Sequence, residues 1–139
     1  MFSLVLETKR LLILTINQLP DRTCINAIFL KQDGITGLTA ERLGKDSKLL
    51  ARVQKFPVVG QISTGARGWV DYLILEEHQN KGYATEALKE VKAYTKSFGV
   101  TPYLDIDDDN LASKAVAAKA GFSCKSTHKK GEKQVEIWE

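Results

Sequence analysis

The sequence predicts a mixed α/β fold of the α+β kind, and three observations carry that prediction. Strand-like and helix-like patterns alternate along the chain. The run Trp69 to Leu75 is apolar on both faces except at Asp71, which suits a central strand covered on both sides. Two helical stretches follow it, each opening on a polar turn and each closing on a glycine, Gly99 and Gly121.

Taken in order, Arg10 to Ile16 alternates too little to be half exposed and reads as a buried strand. Asn17-Gln18-Leu19-Pro20-Asp21 is turn chemistry, leading into a helix from about Arg22 to Lys31. Gly34 to Lys48 is polar with scattered leucines and predicts a second short helix. Arg52-Val53-Gln54-Lys55 and Val58 to Ser63 are expected to pair as an antiparallel hairpin, with Gly65-Ala66-Arg67-Gly68 as the turn into the next strand. A third helix from about Gly82 to Phe98 aligns Ala84, Ala87, Leu88, Val91, Thr95 and Phe98 on one stripe. Its Lys89, Glu90, Lys92 and Lys96 face water. Pro102 to Ile106 is a short strand. Asn110 then caps a helix through Lys119 that Gly121 stops. The tail, Phe122 to His128 and Lys133 to Trp138, reads as a hairpin around Lys130-Gly131.

Composition bounds the function. The 139 residues are expected to form one domain with a substantial core. A content of 43% hydrophobic and 27% charged residues argues against disorder. A net charge of +3 gives little support to a nucleic-acid role, so no nucleic-acid partner is expected. The first apolar stretch, Phe2 to Leu6, is too short for a signal segment or a membrane span, so no membrane partner is expected either. Cys24 and Cys124 show neither metal spacing nor a disulfide framework, which predicts no metal and a cytoplasmic location. Gly60-x4-Gly65 has P-loop spacing, but Ala66-Arg67 stands where Lys-Ser/Thr is needed. Asp105 to Asp109 hints at a calcium loop, yet Asn110 occupies the glycine position and Val116 that of the terminal Glu.

The chemistry concentrates at Gln79-Asn80-Lys81-Gly82-Tyr83-Ala84, a small-residue turn at the start of the third helix. The first four N–H groups of a helix have no internal partner, and the helix dipole adds partial positive charge there. Natural chains usually quench that end with an acidic or hydroxyl cap. Here the first acid is Glu86, and Lys81 adds a positive charge. A start left open in this way suits an anion, most simply a phosphate.

These residues resemble the GNAT superfamily of acetyl-CoA-dependent N-acetyltransferases, whose pyrophosphate loop reads Gln/Arg-x-x-Gly-x-Gly/Ala. Gln79, Gly82 and Ala84 fill those places. Asn110, Ser113, Gly121 and Phe122 match a second family block, and Glu7-Thr8-Lys9-Arg10-Leu11 resembles the opening of the RimJ/RimL-type branch. The resemblance is good from Val58 to Phe122. It implies the order β-α-α-β-β-β-α-β-α-β-β, with a mixed, mostly antiparallel central sheet flanked by about four helices. It also implies a V-shaped splay between two central parallel strands, and a kink or bulge near Leu73-Ile74-Leu75 that opens it.

The same resemblance implies acetyl-CoA as co-substrate, held by Leu73, Ile74, Leu75, Gln79, Asn80, Lys81, Gly82, Tyr83, Ala84, Thr85, Asn110 and Ser113. Asn110 serves equally as a plain N-cap, and Ser113 equally as a solvated helix residue or as a donor to the departing thiolate. Asp71 is the leading general-base candidate; the ordinary alternative is a solvated strand-end residue. Glu76, Glu77 and His128 are weaker candidates, and Tyr72 and Tyr103 could reach the cleft, although buried tyrosines usually serve packing. Nothing from Phe122 to Glu139 matches the tyrosine acid of many members, and Asp71 stands where the branch commonly has Gly. Lys125, Lys129, Lys130 and Lys133 read as a solvated hairpin or as a contact for the 3′-phosphate or an acidic acceptor. The implied activity is acetyl transfer to a primary amine, a protein N-terminus or a small molecule, by a monomer or homodimer. The alternative is a GNAT-fold module that binds acyl-CoA or a protein without turnover, to which the compressed segment Ala51 to Gly68 points.

Overall fold

The computed structural model describes residues 4–139. The chain runs β1 (Val5–Glu7), β2 (Leu11–Gln18), β3 (Cys24–Leu30), α1 (Ala40–Lys45), α2 (Ser47–Val53), β4 (Val58–Thr64) and β5 (Val70–Ile74). A single 3-10 turn (Glu76–His78) leads to α3 (Tyr83–Ser97), β6 (Leu104–Asp107), α4 (Leu111–Lys119), β7 (Cys124–Lys130) and β8 (Lys133–Trp138). Strands β1 to β5 form an antiparallel sheet in chain order, and β6, β8 and β7 form a second sheet in that spatial order. The mixed α/β, mostly antiparallel fold is therefore as expected. The Phe2 end of the apolar stretch Phe2 to Leu6 lies outside the described residues.

Strand β2 explains why Arg10 to Ile16 shows no alternation. Leu11 and Ile13 pack into a core beneath α3 and α4, with Ile28, Ile62, Leu88 and Val91. Leu12 and Leu14 point the other way, into a second core closed by Leu43 of α1 and Leu49 and Val53 of α2. A strand buried on both faces reads as a continuous apolar run. The short helices that close the second core are each capped in order: Thr39 accepts from the Arg42 N–H, and Asp46 from the Leu49 N–H.

Four expectations are corrected. Residues 22–31 are not a helix, because Cys24–Leu30 is a strand paired on both sides, with β2 and β4. Asp21 caps a hairpin turn instead: its carboxylate accepts from the Thr23 N–H at 3.0 Å, and Arg22 takes a left-handed φ of 70°. Ile25, Ile28 and Phe29 favour a pleated surface, and two waiting neighbours settle the choice. Second, Arg52 and Val53 belong to α2, so the hairpin partner of β4 is β3 rather than residues 52–55. Third, β5 is covered on one face only: Val70 and Ile74 are buried, whereas Leu73 is 59% exposed. Fourth, Phe98 ends α3 in solvent at 66% exposure, so the apolar stripe stops a turn earlier.

Two glycines fix how β5 sits. A Cβ on Gly60 would come within 2.2 Å of the Leu73 carbonyl oxygen, so the β4–β5 approach requires its absence. At Gly68, φ is +96° and a Cβ would lie 2.3 Å from the Thr101 carbonyl oxygen. Gly68 thus permits the contact at which the two sheets meet.

Candidate active site

The sheets touch at one parallel bridge, Trp69 with Tyr103. The Val70 N–H donates to the Tyr103 carbonyl at 2.9 Å, and the Tyr103 N–H to the Gly68 carbonyl at 2.8 Å. Beyond this point β6 pairs with β8 alone, and β5 continues on β4. The two parallel strands therefore separate from a common apex, which is the expected V. Along β5 the Leu75 N–H bonds Val59 and the Trp69 carbonyl accepts from Gly65, so the odd-numbered residues face β4. The alternate N–H groups of Tyr72 and Ile74 face the opening, with no strand partner among the described residues.

The expected bulge at Leu73-Ile74-Leu75 is absent. Register between β4 and β5 is continuous from Thr64↔Val70 to Gly60↔Ile74. The irregularity lies one strand over, in β4, where Ile28 and Phe29 of β3 pair with Gly60 and Val58 and leave Val59 as the extra residue. Divergence at the apex opens the V without any break in β5.

The loop after β5 forms one end of the opening. Gln79 does not reach outward; its Nε2 donates to the Ile74 carbonyl at 3.0 Å and ties the loop to the strand. Asn80 and Gly82 both take left-handed backbone, at φ 61° and 82°. Gly82 is the N-cap of α3 and supplies no side-chain bond to its N–H groups. Glu86, the acid in this first turn, is engaged elsewhere. It accepts from the Thr8 hydroxyl, from Arg10 Nε at 2.7 Å and from the Arg10 backbone N–H at 3.0 Å. Burial pushes the Glu86 pKa up, but the hydrogen bonds from Thr8 and Arg10 and the Arg10 charge outweigh it and hold the pKa below its usual value. Arg10 also donates from Nη1 to the Lys81 carbonyl at 2.9 Å and lies 4.7 Å from the centre of the Tyr83 ring. The opening Thr8-Lys9-Arg10 block is thus a brace behind the loop.

The other wall is α4. Asn110 Oδ1 accepts from the Ser113 N–H at 3.1 Å, the N-cap role read from sequence. The Tyr72 hydroxyl reaches across from β5 and donates to Ser113 Oγ at 3.4 Å. Burial raises the Tyr72 pKa; the Ser113 bond acts against it and the Asp71 charge reinforces it. Between these walls lies a cavity of about 580 Å³. Leu73, Ile74, Gln79, Asn80, Gly82, Tyr83, Ala84, Thr85, Asn110 and Ser113 all line it, as the sequence reading groups them.

Leu75, Lys81 and Asp71 do not line that cavity. Strand alternation puts Asp71, opposite Ser63, on the face away from Tyr72, where it is exposed. Sequence reasoning missed His78, Ala112, Val116 and Lys119, which do line it. Residues 112, 116 and 119 share one face of α4, so helical spacing from Ser113's neighbour was a usable signal. His78 carried none; its Nδ1 is buried and has no hydrogen-bond partner among the described residues.

The chain matches the Acetyltransferase (GNAT) domain family over residues 15–123. No curated protein matches it. Solved structures share its fold at low identity. A Vibrio cholerae protein assigned as a ribosomal-protein-serine acetyltransferase is 13% identical, with a TM-score of 0.66, covering 98% of this chain and 96% of that one. The Salmonella typhimurium acetyltransferase that modifies the N-terminal serine of ribosomal protein L7/L12 is 17% identical, TM-score 0.56, covering 84% of this chain and 62% of that one. Spermidine N-acetyltransferase from Vibrio cholerae, in complex with CoA and spermine, is 12% identical, TM-score 0.56, covering 84% and 63%. The chain spans less than two thirds of the length of the latter two. With the domain match extending over most of its residues, the chain belongs to the GNAT acetyltransferase family.

Proposed function

We propose that the chain, acting as one domain, transfers the acetyl group of acetyl-CoA directly to a primary amine, a protein N-terminus or a small molecule. The observation that carries this reading is the uncapped α3 start, with left-handed Gly82 at its tip, opening into the cavity between β5 and α4. The backbone N–H groups at Gly82 to Thr85 would receive a pyrophosphate, whose charge the helix dipole favours. The free N–H groups of Tyr72 and Ile74 would pair with the amides of an extended pantetheine arm, as a third strand would. One of them would stabilise negative charge developing on the thioester oxygen. A cavity of about 580 Å³ is of ligand-pocket size. The CoA in the spermidine acetyltransferase complex supports the same co-substrate.

An acceptor amine entering by the outer face of β5 meets Asp71, which would take its proton directly or through one water. Holding both reactants across the V supplies much of the rate by proximity. Asp71→Asn is expected to lower kcat about a hundredfold; unchanged turnover assigns the base elsewhere.

The first test is calorimetric titration with acetyl-CoA, free CoA and ATP. Saturable binding of the first two but not ATP is expected, followed by CoA release with N-terminal peptides or polyamines. Binding without CoA release across a broad amine panel would instead identify a binding module. No binding at millimolar ligand would sink the reading.

A further inference from the structure

Two hydroxyls face each other across the cavity, one from β5 and one from α4, and the path between them sets a direction. Tyr72 Oη is the donor and Ser113 Oγ the acceptor. The Ser113 backbone N–H is already given to Asn110. A serine oxygen that accepts from a phenol must send its own proton elsewhere, because the donor occupies the lone-pair side. The remaining space beside Ser113 is the cavity, which both side chains line.

We propose that Tyr72 is a positioning residue that orients the Ser113 hydroxyl into the cleft, so that Ser113 donates to the sulfur leaving the thioester. The proposal rests on the acetyltransferase reading above and assigns a role to a strand residue that the family blocks leave out. In the step, the amine nitrogen forms its bond to the carbonyl carbon and the C–S bond breaks. The electron pair stays on sulfur as a thiolate, stabilised by the Ser113 O–H; the proton lost from nitrogen leaves by the base on the other face. Tyr72 stays neutral throughout. Burial raises its pKa and the neighbouring Asp71 charge adds to that, so the phenol is held as a donor over the working pH range. The 3.4 Å separation is long for an O–H···O bond. Such bonds commonly tighten when the reacting group arrives.

The test uses free CoA bound to the intact protein and follows the thiolate by its ultraviolet absorbance as pH rises. An unperturbed thiol titrates near pH ~8.5. In the wild-type complex the midpoint is expected about one unit lower, since a hydrogen bond to the charged form favours it. Tyr72→Phe, which keeps the ring, and Ser113→Ala are expected to return the midpoint by equal amounts. The double variant is expected to go no further than either single one, because two residues acting through one hydroxyl are not additive. Ser113→Thr keeps a hydroxyl and should hold the low midpoint. His78 and Lys119 line the same cavity and are present in every variant, so the differences isolate the hydroxyl pair.

In turnover, both single variants should lower kcat about tenfold. An unshifted midpoint in the wild-type complex overturns the proposal. So does a Tyr72→Phe midpoint equal to wild type, or full additivity in the double variant. Failure of CoA to bind at all is recognised beforehand by calorimetry; it overturns the acetyltransferase reading, and this one with it.

Discussion

Two helices begin at the same cleft, and they begin differently. α3 opens on Gly82, with left-handed backbone and no side chain turned back onto its N–H groups. α4 opens on Asn110, whose side-chain Oδ1 accepts from the Ser113 N–H. The first turn of α3 holds an acid, Glu86, but Thr8 and Arg10 bind it from behind. The first turn of α4 holds no acid. A helix start can offer its backbone or its side chains, and capping decides which. Left uncapped, α3 presents a row of donors to a charged group. Once capped, α4 is quiet at the backbone and presents the Ser113 hydroxyl. One end of the cleft is therefore suited to phosphate and the other to a neutral or weakly charged sulfur.

Closing the open start should have the largest effect. Gly82→Asp puts a carboxylate where the anion would sit and forces a Cβ into left-handed backbone, within 3.3 Å of Arg10 Nη2. Acetyl-CoA affinity should fall by roughly a hundredfold or more, about 2.8 kcal/mol. Calorimetry with an affinity equal to wild type would show that the α3 start is not the anion site. Arg10→Ala comes next. It frees the Lys81 carbonyl and takes the ion-pair partner from Glu86, which keeps only the Thr8 hydroxyl and the residue-10 backbone N–H. A weakening of about tenfold is expected, near 1.4 kcal/mol. Arg10→Ala/Glu86→Gln should recover part of it, since the second change removes the stranded charge. If the double variant binds no better than Arg10→Ala, loop geometry rather than charge is the cause.

The contrast between the two helix starts was legible in the sequence, because each depends on local chemistry. Asn110 three residues before a serine is a cap in any context, and a glycine between Lys81 and Tyr83 with no acid before Glu86 marks an open end. The brace behind α3 was not legible, since Arg10 and Glu86 stand 76 residues apart and meet only when β2 packs beside α3. The same holds for β3. Its residues carry turn chemistry before them that suits a helix cap equally well, and pairing on both edges made it a strand. For β5, composition promised cover on both faces, yet Asp71 and Leu73 stand exposed on the face away from the core beneath α3 and α4. Local rules therefore located the donors of the cleft, and the tertiary contacts that hold and orient them came from strand order.

Asn110 tests the capped helix in isolation. Asn110→Ala should cost about 1 kcal/mol of stability, whereas Asn110→Gly should cost only a few tenths. Acetyl-CoA affinity should change by no more than about threefold in either, under about 0.7 kcal/mol. Thermal melting separates the two variants, and a loss of affinity as large as that for Gly82→Asp would mean that Asn110 holds the ligand as well as the helix.

The smallest expected effect is a dependence on acid. The folded Glu86 pKa lies below its ordinary 4.5, so between those values the unfolded chain binds more protons than the folded one. The stabilisation is complete above the unfolded value and is lost as pH falls through the folded value. Glu86→Gln should therefore be less stable than wild type near neutrality, with the two stability curves converging only once pH has fallen through the lowered folded value. Glu7 has a lowered pKa as well, from the Lys31 ammonium and from the Gly37 and Leu38 N–H groups set against its burial. It belongs to the outer edge of the sheet, away from the cleft, so Glu7→Gln should reproduce the acid convergence while leaving acetyl-CoA affinity intact. Denaturant titrations from pH 7 down through the acid range, run alongside calorimetry, distinguish them. Affinity lost in Glu86→Gln but not in Glu7→Gln would show that the brace behind α3 sets the open end, and equal affinities would show that Glu86 serves stability alone.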